Sequence, residues 1–161
     1  MDKAAFTAAA QQHQDMVYRV ALSVLGNAHD AEDAVQEVFI KLYRQTSPPE
    51  GDSLRYWLIR VTVNHCRDIL RSPWRKRRVP LTELATEPPE PVFDREEQQA
   101  LYQAVLALPE KYRTVVHLYY YEELSVREMA ELLKLSQSVV TTRLSRARAK
   151  LKEQLEVWQD E

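Results

Sequence analysis

The sequence predicts an all-α protein of two small helical domains joined by an acidic, proline-rich linker. Three observations point there. Glycine occurs only twice in 161 residues, and Ala, Leu, Glu, Gln and Arg prevail over alternating β-branched residues, a composition that favours helix almost throughout. Apolar side chains recur at spacings of three and four between interruptions rich in Pro, Gly, Asn or Ser. Charge is placed unevenly. Arg71 to Arg78 (RSPWRKRR) holds five bases and no acid, whereas Leu81 to Asp94 holds four acids, no base, and Pro88, Pro89 and Pro91. A basic block followed by an acidic proline-rich one reads as a domain edge and a tether. The expected boundaries are a first domain at 1–78, a linker at 79–94 and a second domain at 95–161.

In the first domain, a helix is expected over Lys3–Leu25. Phe6, Val17, Val20, Ala21, Val24 and Leu25 share its inner face, and Gly26–Asn27 stops it. The second helix is expected to start after Asp30 as DAEDAVQEVFIKLYRQ, with Ala34, Val35, Val38, Phe39 and Leu42 as its apolar stripe. Asp30, Glu32, Asp33, Gln36 and Glu37 crowd its first turns, where the helix dipole favours negative charge. After the turn-rich SPPEGD comes SLRYWLIRVTVNHCRDILR. Its expected buried set is Leu54, Trp57, Leu58, Val61, Cys66, Ile69 and Leu70, with Arg55, Arg60, Arg67 and Arg71 around the rest. Tyr56, Trp57 and Trp74 read as core or half-core packing. Aromatics interleaved with arginines also suit unpaired DNA, since each base offers a face to stack on and each phosphate a charge to neutralise.

In the second domain, REEQQALYQAVLALP places Leu101, Val105 and Leu108 on one face, and PEKYRTVVHLYYYEEL does so for Tyr112, Val115, Val116 and Tyr119. Pro109 suits the first turn of that second helix, where no backbone N–H is needed. SVRE is a capping box opening a short helix that buries Met129, Ala130, Leu132 and Leu133. LKLS interrupts, and Ser136 can cap the next helix. There Val140, Leu144, Ala147, Leu151 and Leu155 run inside, while Thr141, Thr142, Arg143, Ser145, Arg146 and Arg148 face out. Ser136 to Lys152 holds five bases and no acid, although the chain as a whole has a net charge of −2. Two short helices across a tight turn, the second basic outside and apolar inside, describe a helix-turn-helix whose recognition helix fits a DNA major groove.

Other function classes find little support. No apolar run approaches the 18–20 residues that cross a bilayer, and MDKAAFTAAAQQHQDM lacks the features of a signal peptide. The tail EQLEVWQDE is too short for a sensory extension. Cys66 is the only cysteine, which fits a reducing cytoplasm and more readily a buried apolar role than a nucleophile. His13, His29, His65 and His117 are scattered, with no pair at metal-ligand spacing on one helix face. His65, Cys66 and Asp68 are close in NHCRD but point in different directions on a helix. No glycine-rich phosphate loop exists. An enzyme is not expected, nor any catalytic residue, metal or cofactor.

Three segments, DAEDAVQEVFIKLY, YWLIRVTVNHCRDILR and LPEKYRTVVHLYYYEELSVREMAELLKLSQSVVTTRLSRARAKL, taken in this order resemble the extracytoplasmic-function (ECF) sigma factors of the sigma-70 superfamily, from about Phe6 to Leu155. The resemblance implies a region 2-like bundle at the N-terminal side and a region 4-like helix-turn-helix at the C-terminal side. It implies core RNA polymerase as partner, contacted through Asp33, Gln36 and Glu37. The single-stranded −10 element of the promoter falls to Asp52, Ser53, Tyr56 and Asn64, and the duplex −35 element to Thr141, Thr142, Ser145 and Arg146. An anti-sigma factor is a further implied partner, and membrane insertion is not. The acidic linker would thread the basic channel that later carries RNA. Three departures stand out: Lys134 at the turn position usually glycine, Ser138-Val139 where the recognition helix usually opens with Gly-Thr, and a short SPPEGD loop. The competing reading is a helix-turn-helix regulator that binds duplex DNA alone. It accounts for the second domain equally well, but not for the acidic helix or the arginine–aromatic helix of the first.

Overall fold

The structure, a computed structural model, describes residues 1–72 and 96–159. These form two compact helical units, one on each side of the interval between them. Trp74, Arg75–Arg78 and the expected 79–94 linker lie outside the described residues.

The first unit is a three-helix bundle of α1 (Lys3–Leu25), α2 (Ala28–Tyr43) and α3 (Asp52–Arg71). Asp2 opens α1 by accepting from the Ala5 N–H at 2.8 Å. Gly26 ends it in the left-handed region (φ 70°, ψ 10°), its own N–H donating to the Leu22 carbonyl. Asn27 then returns to extended backbone and accepts from the Asp30 N–H at 3.0 Å. The second helix therefore begins two residues before Asp30, because the Asn27 side chain, and not Asp30, supplies the cap. Two residues suffice to reverse the chain. The helices then lie close, since Ala28, Ala31 and Ala34 present only methyl groups, all buried.

The core of this bundle is apolar and sealed: Val17, Val20, Ala21 and Val24 of α1, Val38 and Leu42 of α2, and Leu58, Ile59, Val63 and Cys66 of α3 have no exposure. The buried face of α3 differs from the expected one. Leu54, Leu58 and Cys66 are inside as expected, but Ile59, Thr62 and Val63 join them, while Trp57, Val61, Ile69 and Leu70 are half-buried. The face is centred on the i, i+4, i+8 row Leu58–Thr62–Cys66, which turns Trp57 and Val61 to its edge. Thr62 tolerates burial because its hydroxyl donates to the Leu58 carbonyl, at 2.6 Å. Val35 of α2 and Phe6 of α1 are likewise half-buried. The Phe6 ring meets those of Phe39 and Tyr43 edge-on, with centroids 6.3 and 5.1 Å away.

The second unit comprises α4 (Glu96–Leu106), α5 (Glu110–Val116), a π-turn at His117–Tyr121, α6 (Val126–Leu133) and α7 (Gln137–Gln159). Val105, Leu108, Tyr112, Val116 and Ala147 make a core on which Leu151 packs. Leu101 and Tyr119 are exposed, contrary to expectation; Tyr102, Ala104 and Leu118 are buried in their stead. Pro109 sits just before α5 as its cap (φ −54°, ψ 150°) instead of inside its first turn. The π-turn explains Tyr119. Its widened ring, with the Glu122 N–H donating to the His117 carbonyl at 3.2 Å, shifts every later side chain relative to a 3.6-residue repeat. His117 and Glu122 are buried side by side, Nε2 to Oε2 at 3.5 Å.

A candidate DNA interface on the recognition helix and the third helix

The capping box forms as expected. The Glu128 N–H donates to the Ser125 hydroxyl and the Ser125 N–H to the Glu128 carboxylate, both at 3.0 Å. Met129, Ala130, Leu132 and Leu133 are buried under this short helix. Lys134 then adopts the left-handed conformation (φ 57°, ψ 45°), its N–H donating to the Ala130 carbonyl. A non-glycine residue there carries strain of about 1–2 kcal/mol. The chain reverses, and the Ser136 hydroxyl accepts from the Val139 N–H at 3.2 Å to start α7.

Val140, Leu144 and Ala147 of α7 are sealed inside. At about 100° per residue, Ser138, Thr142, Ser145, Arg146 and Ala149 point the opposite way, and all five are exposed. Thr141 is exposed too but lies toward one flank, and its hydroxyl donates to the Gln137 carbonyl at 2.9 Å. It thus offers DNA a methyl group and oxygen lone pairs. On the same flank, Arg148 Nη1 donates to the Tyr120 hydroxyl at 3.0 Å, which fixes the guanidinium. Arg143, Arg146 and Lys150 lie toward the other flank. Thr, Ser and Arg side chains on a carboxylate-free convex face can reach base edges and phosphates together. Ser138, one of the departures at the opening of this helix, lies one turn before Thr142 on the same exposed row.

On α3, Asp52 and Ser53 are exposed in the first turn, which follows Gly51 in a positive-φ conformation (61°). Asn64 is exposed and Tyr56 half-buried. Ser53, Tyr56, Arg60 and Asn64 fall on one face at spacings of three and four; Asp52 stands to one side of them. Half-buried Trp57 borders the same row, so it stands at the edge of this face and not in the core.

On α2, Asp33, Gln36 and Glu37 are exposed on a single face that also carries Ile40, 41% exposed. A large apolar side chain thus stands exposed among carboxyl and amide groups on this face. Ile40 lies one turn beyond the acidic cluster and shares its exposed face. Behind it, Lys41 Nζ donates to His65 Nδ1 at 3.3 Å. Burial, and then Lys41, hold the His65 pKa below its usual value against the opposing pull of Glu37 and Asp68.

Among the described residues no group of His, Cys, Asp and Glu is placed to hold a metal ion, and no helix is long and apolar enough to cross a membrane. The fold and the exposed face of α7 define an all-α protein with a helix-turn-helix of the DNA-binding kind in its second unit. Comparison with known families narrows that class. Residues 9–76 match Sigma-70 region 2 and residues 98–151 match Sigma-70, region 4. The ECF RNA polymerase sigma factor SigW of Bacillus subtilis is 31% identical over 169 residues, covering 96% of this chain and 90% of SigW. The RNA polymerase sigma-H factor of Pseudomonas aeruginosa is 30% identical, covering 91% of this chain and 84% of its own. Among solved structures, the sigma factor RpoE in complex with the anti-sigma factor NepR from Bartonella quintana superposes with a TM-score of 0.70 at 23% identity, over 94% of this chain and 97% of that one. CnrH in complex with the cytosolic domain of CnrY gives 0.60 at 27% identity, over 97% and 90%. The chain belongs to the ECF sigma factors of RNA polymerase. It is a transcription initiation factor that directs core polymerase to promoters.

Proposed function

We propose that the two units divide promoter recognition residue by residue. In this reading α2 docks on core RNA polymerase through Asp33, Gln36 and Glu37, with Ile40 as the apolar anchor among them. The α3 surface of Asp52, Ser53, Tyr56 and Asn64 holds the displaced −10 strand, stacking on the aromatic and capturing an unpaired base much as extruded bases are held elsewhere. The outward row of α7 enters the major groove at −35, with Thr142, Ser145 and Arg146 foremost and Thr141 at the side. The domains are those read from sequence, 1–78 and 95–161, with 79–94 as tether, and the protein works in the cytoplasm without catalysis of its own. The observation that carries this reading is the exposed row of Thr142, Ser145 and Arg146 on a helix whose opposite face is sealed.

A regulatory partner belongs to the same proposal. RpoE of Bartonella quintana is found in complex with the anti-sigma factor NepR, and an anti-sigma factor covering the exposed α2 face of this chain would block polymerase docking.

The test is run-off transcription with purified core polymerase lacking any other sigma subunit. Promoter-specific initiation is expected on adding this chain alone. A chain that binds the duplex yet leaves the core unable to choose a start site would be a regulator, and the assignment of α2 and α3 would fall.

A further inference from the structure

The first turn of α7 carries a side chain unlike the polar ones around it. Val139 is 38% exposed, the large apolar residue that this helix leaves uncovered among its described residues. It stands one turn before Thr142 and Arg143 and two turns before Arg146, at the edge of the row that faces away from the sealed core. Neither its side chain nor its backbone can hold a phosphate. The isopropyl group has no hydrogen-bond donor, and the Val139 N–H is donated to the Ser136 hydroxyl at 3.2 Å. That hydroxyl also lies 3.3 Å from the Ser138 hydroxyl, so the turn is closed by its own bonds. A β-branched side chain in a helix keeps essentially one rotamer. The two methyl groups are therefore held in place before any partner arrives.

We propose that Val139 is a specificity-determining residue whose methyl groups pack on the C5-methyl of one thymine in the −35 duplex. The inference rests on the reading that α7 enters the major groove, and it adds the base that this turn selects. The first residues of a recognition helix come up against base edges. Only thymine presents a methyl group there; the other bases present donors and acceptors. A valine pressed on those groups would exclude their water and return no hydrogen bond, which disfavours them. The position follows from the rise of the helix. Val139 precedes Arg146 by seven residues, about 10 Å at about 1.5 Å per residue, or about three base steps of roughly 3.4 Å. The thymine thus lies about three base pairs from the position that Arg146 reads.

The test uses holoenzyme reconstituted from core polymerase and the full chain, with binding measured on promoters in which each −35 base pair is varied in turn. Each preferred thymine is then replaced by deoxyuridine, which lacks only the methyl group. At one position wild type is expected to favour thymine over deoxyuridine by about fourfold, the effect of burying one carbon. Val139→Ala should bind the two equally there and keep wild-type preferences elsewhere, whereas Val139→Ile should keep the discrimination. The inference is overturned if no position distinguishes thymine from deoxyuridine, if Val139→Ala retains the difference, or if Val139→Ala weakens every promoter alike. Failure of wild-type holoenzyme to select any promoter would count instead against the groove-docking reading itself.

Discussion

Single side chains make separable contributions to this protein. Lys134 occupies a left-handed turn where its Cβ crowds the following carbonyl; Lys134→Gly removes that strain but adds freedom to the unfolded chain. The net expectation is a gain of about 0.5–1 kcal/mol in unfolding free energy, read as a higher urea midpoint. His13 is buried in α1, and burial, then Arg55, hold its pKa below the usual value. The folded state therefore binds fewer protons than the unfolded chain. The stabilisation is complete above the unfolded pKa of about 6.5 and is lost as pH falls through the depressed folded value. His13→Gln should flatten the fall in melting temperature below about pH 6.5; an unchanged pH profile would remove His13 from the account. His65, shifted the same way, retains its own share. At Arg146 the question is one of specificity. Arg146→Ala should erase preference at one −35 position by about 1–3 kcal/mol, measured on a panel of promoter variants, whereas a phosphate role would weaken all variants alike.

Helices were legible where capping chemistry and apolar period agree. The limits of α1 match those read from sequence because Gly26 allows only one ending. The start of α2 differs from the expected one because Asn27, which stops the first helix, also caps the next. The buried face of α3 departs from expectation at Trp57 and Val61, whose bulk and apolarity argue for burial, because the sealed row runs through Leu58, Thr62 and Cys66. A threonine is a poor core marker in sequence, and only its bond to the Leu58 carbonyl reconciles it with burial. The π-turn left no signal in HLYYY, since five ordinary residues accommodate either helical ring size. Of the candidate site residues, the outward face of α7 is legible from periodicity alone, while Ile40 becomes visible only once neighbouring elements are in place. For α2 as an element, alanine at Asp33 and Gln36 is expected to weaken core polymerase binding and leave thermal unfolding nearly unchanged, because both side chains are exposed. A large fall in melting temperature would show that they support the bundle instead.

Across the whole molecule, a net charge of −2 gives no general attraction to DNA. In the proposed reading, affinity comes from the bases on α7 and on the outward side of α3, and from the polymerase that carries the chain. The acidic α2 face fits the same proposal, because carboxylates disfavour contact with a duplex. One consequence lies beneath the α3 surface. Cys66 is the chain's single thiol and has no solvent exposure, so a thiol-reactive dye can modify it only when the first bundle opens. Its labelling rate is thus a clock for that opening, free of any signal from the second unit. Holoenzyme assembly should slow the clock if polymerase clamps the bundle shut, and a rate unaltered by core would mean that docking leaves its breathing untouched.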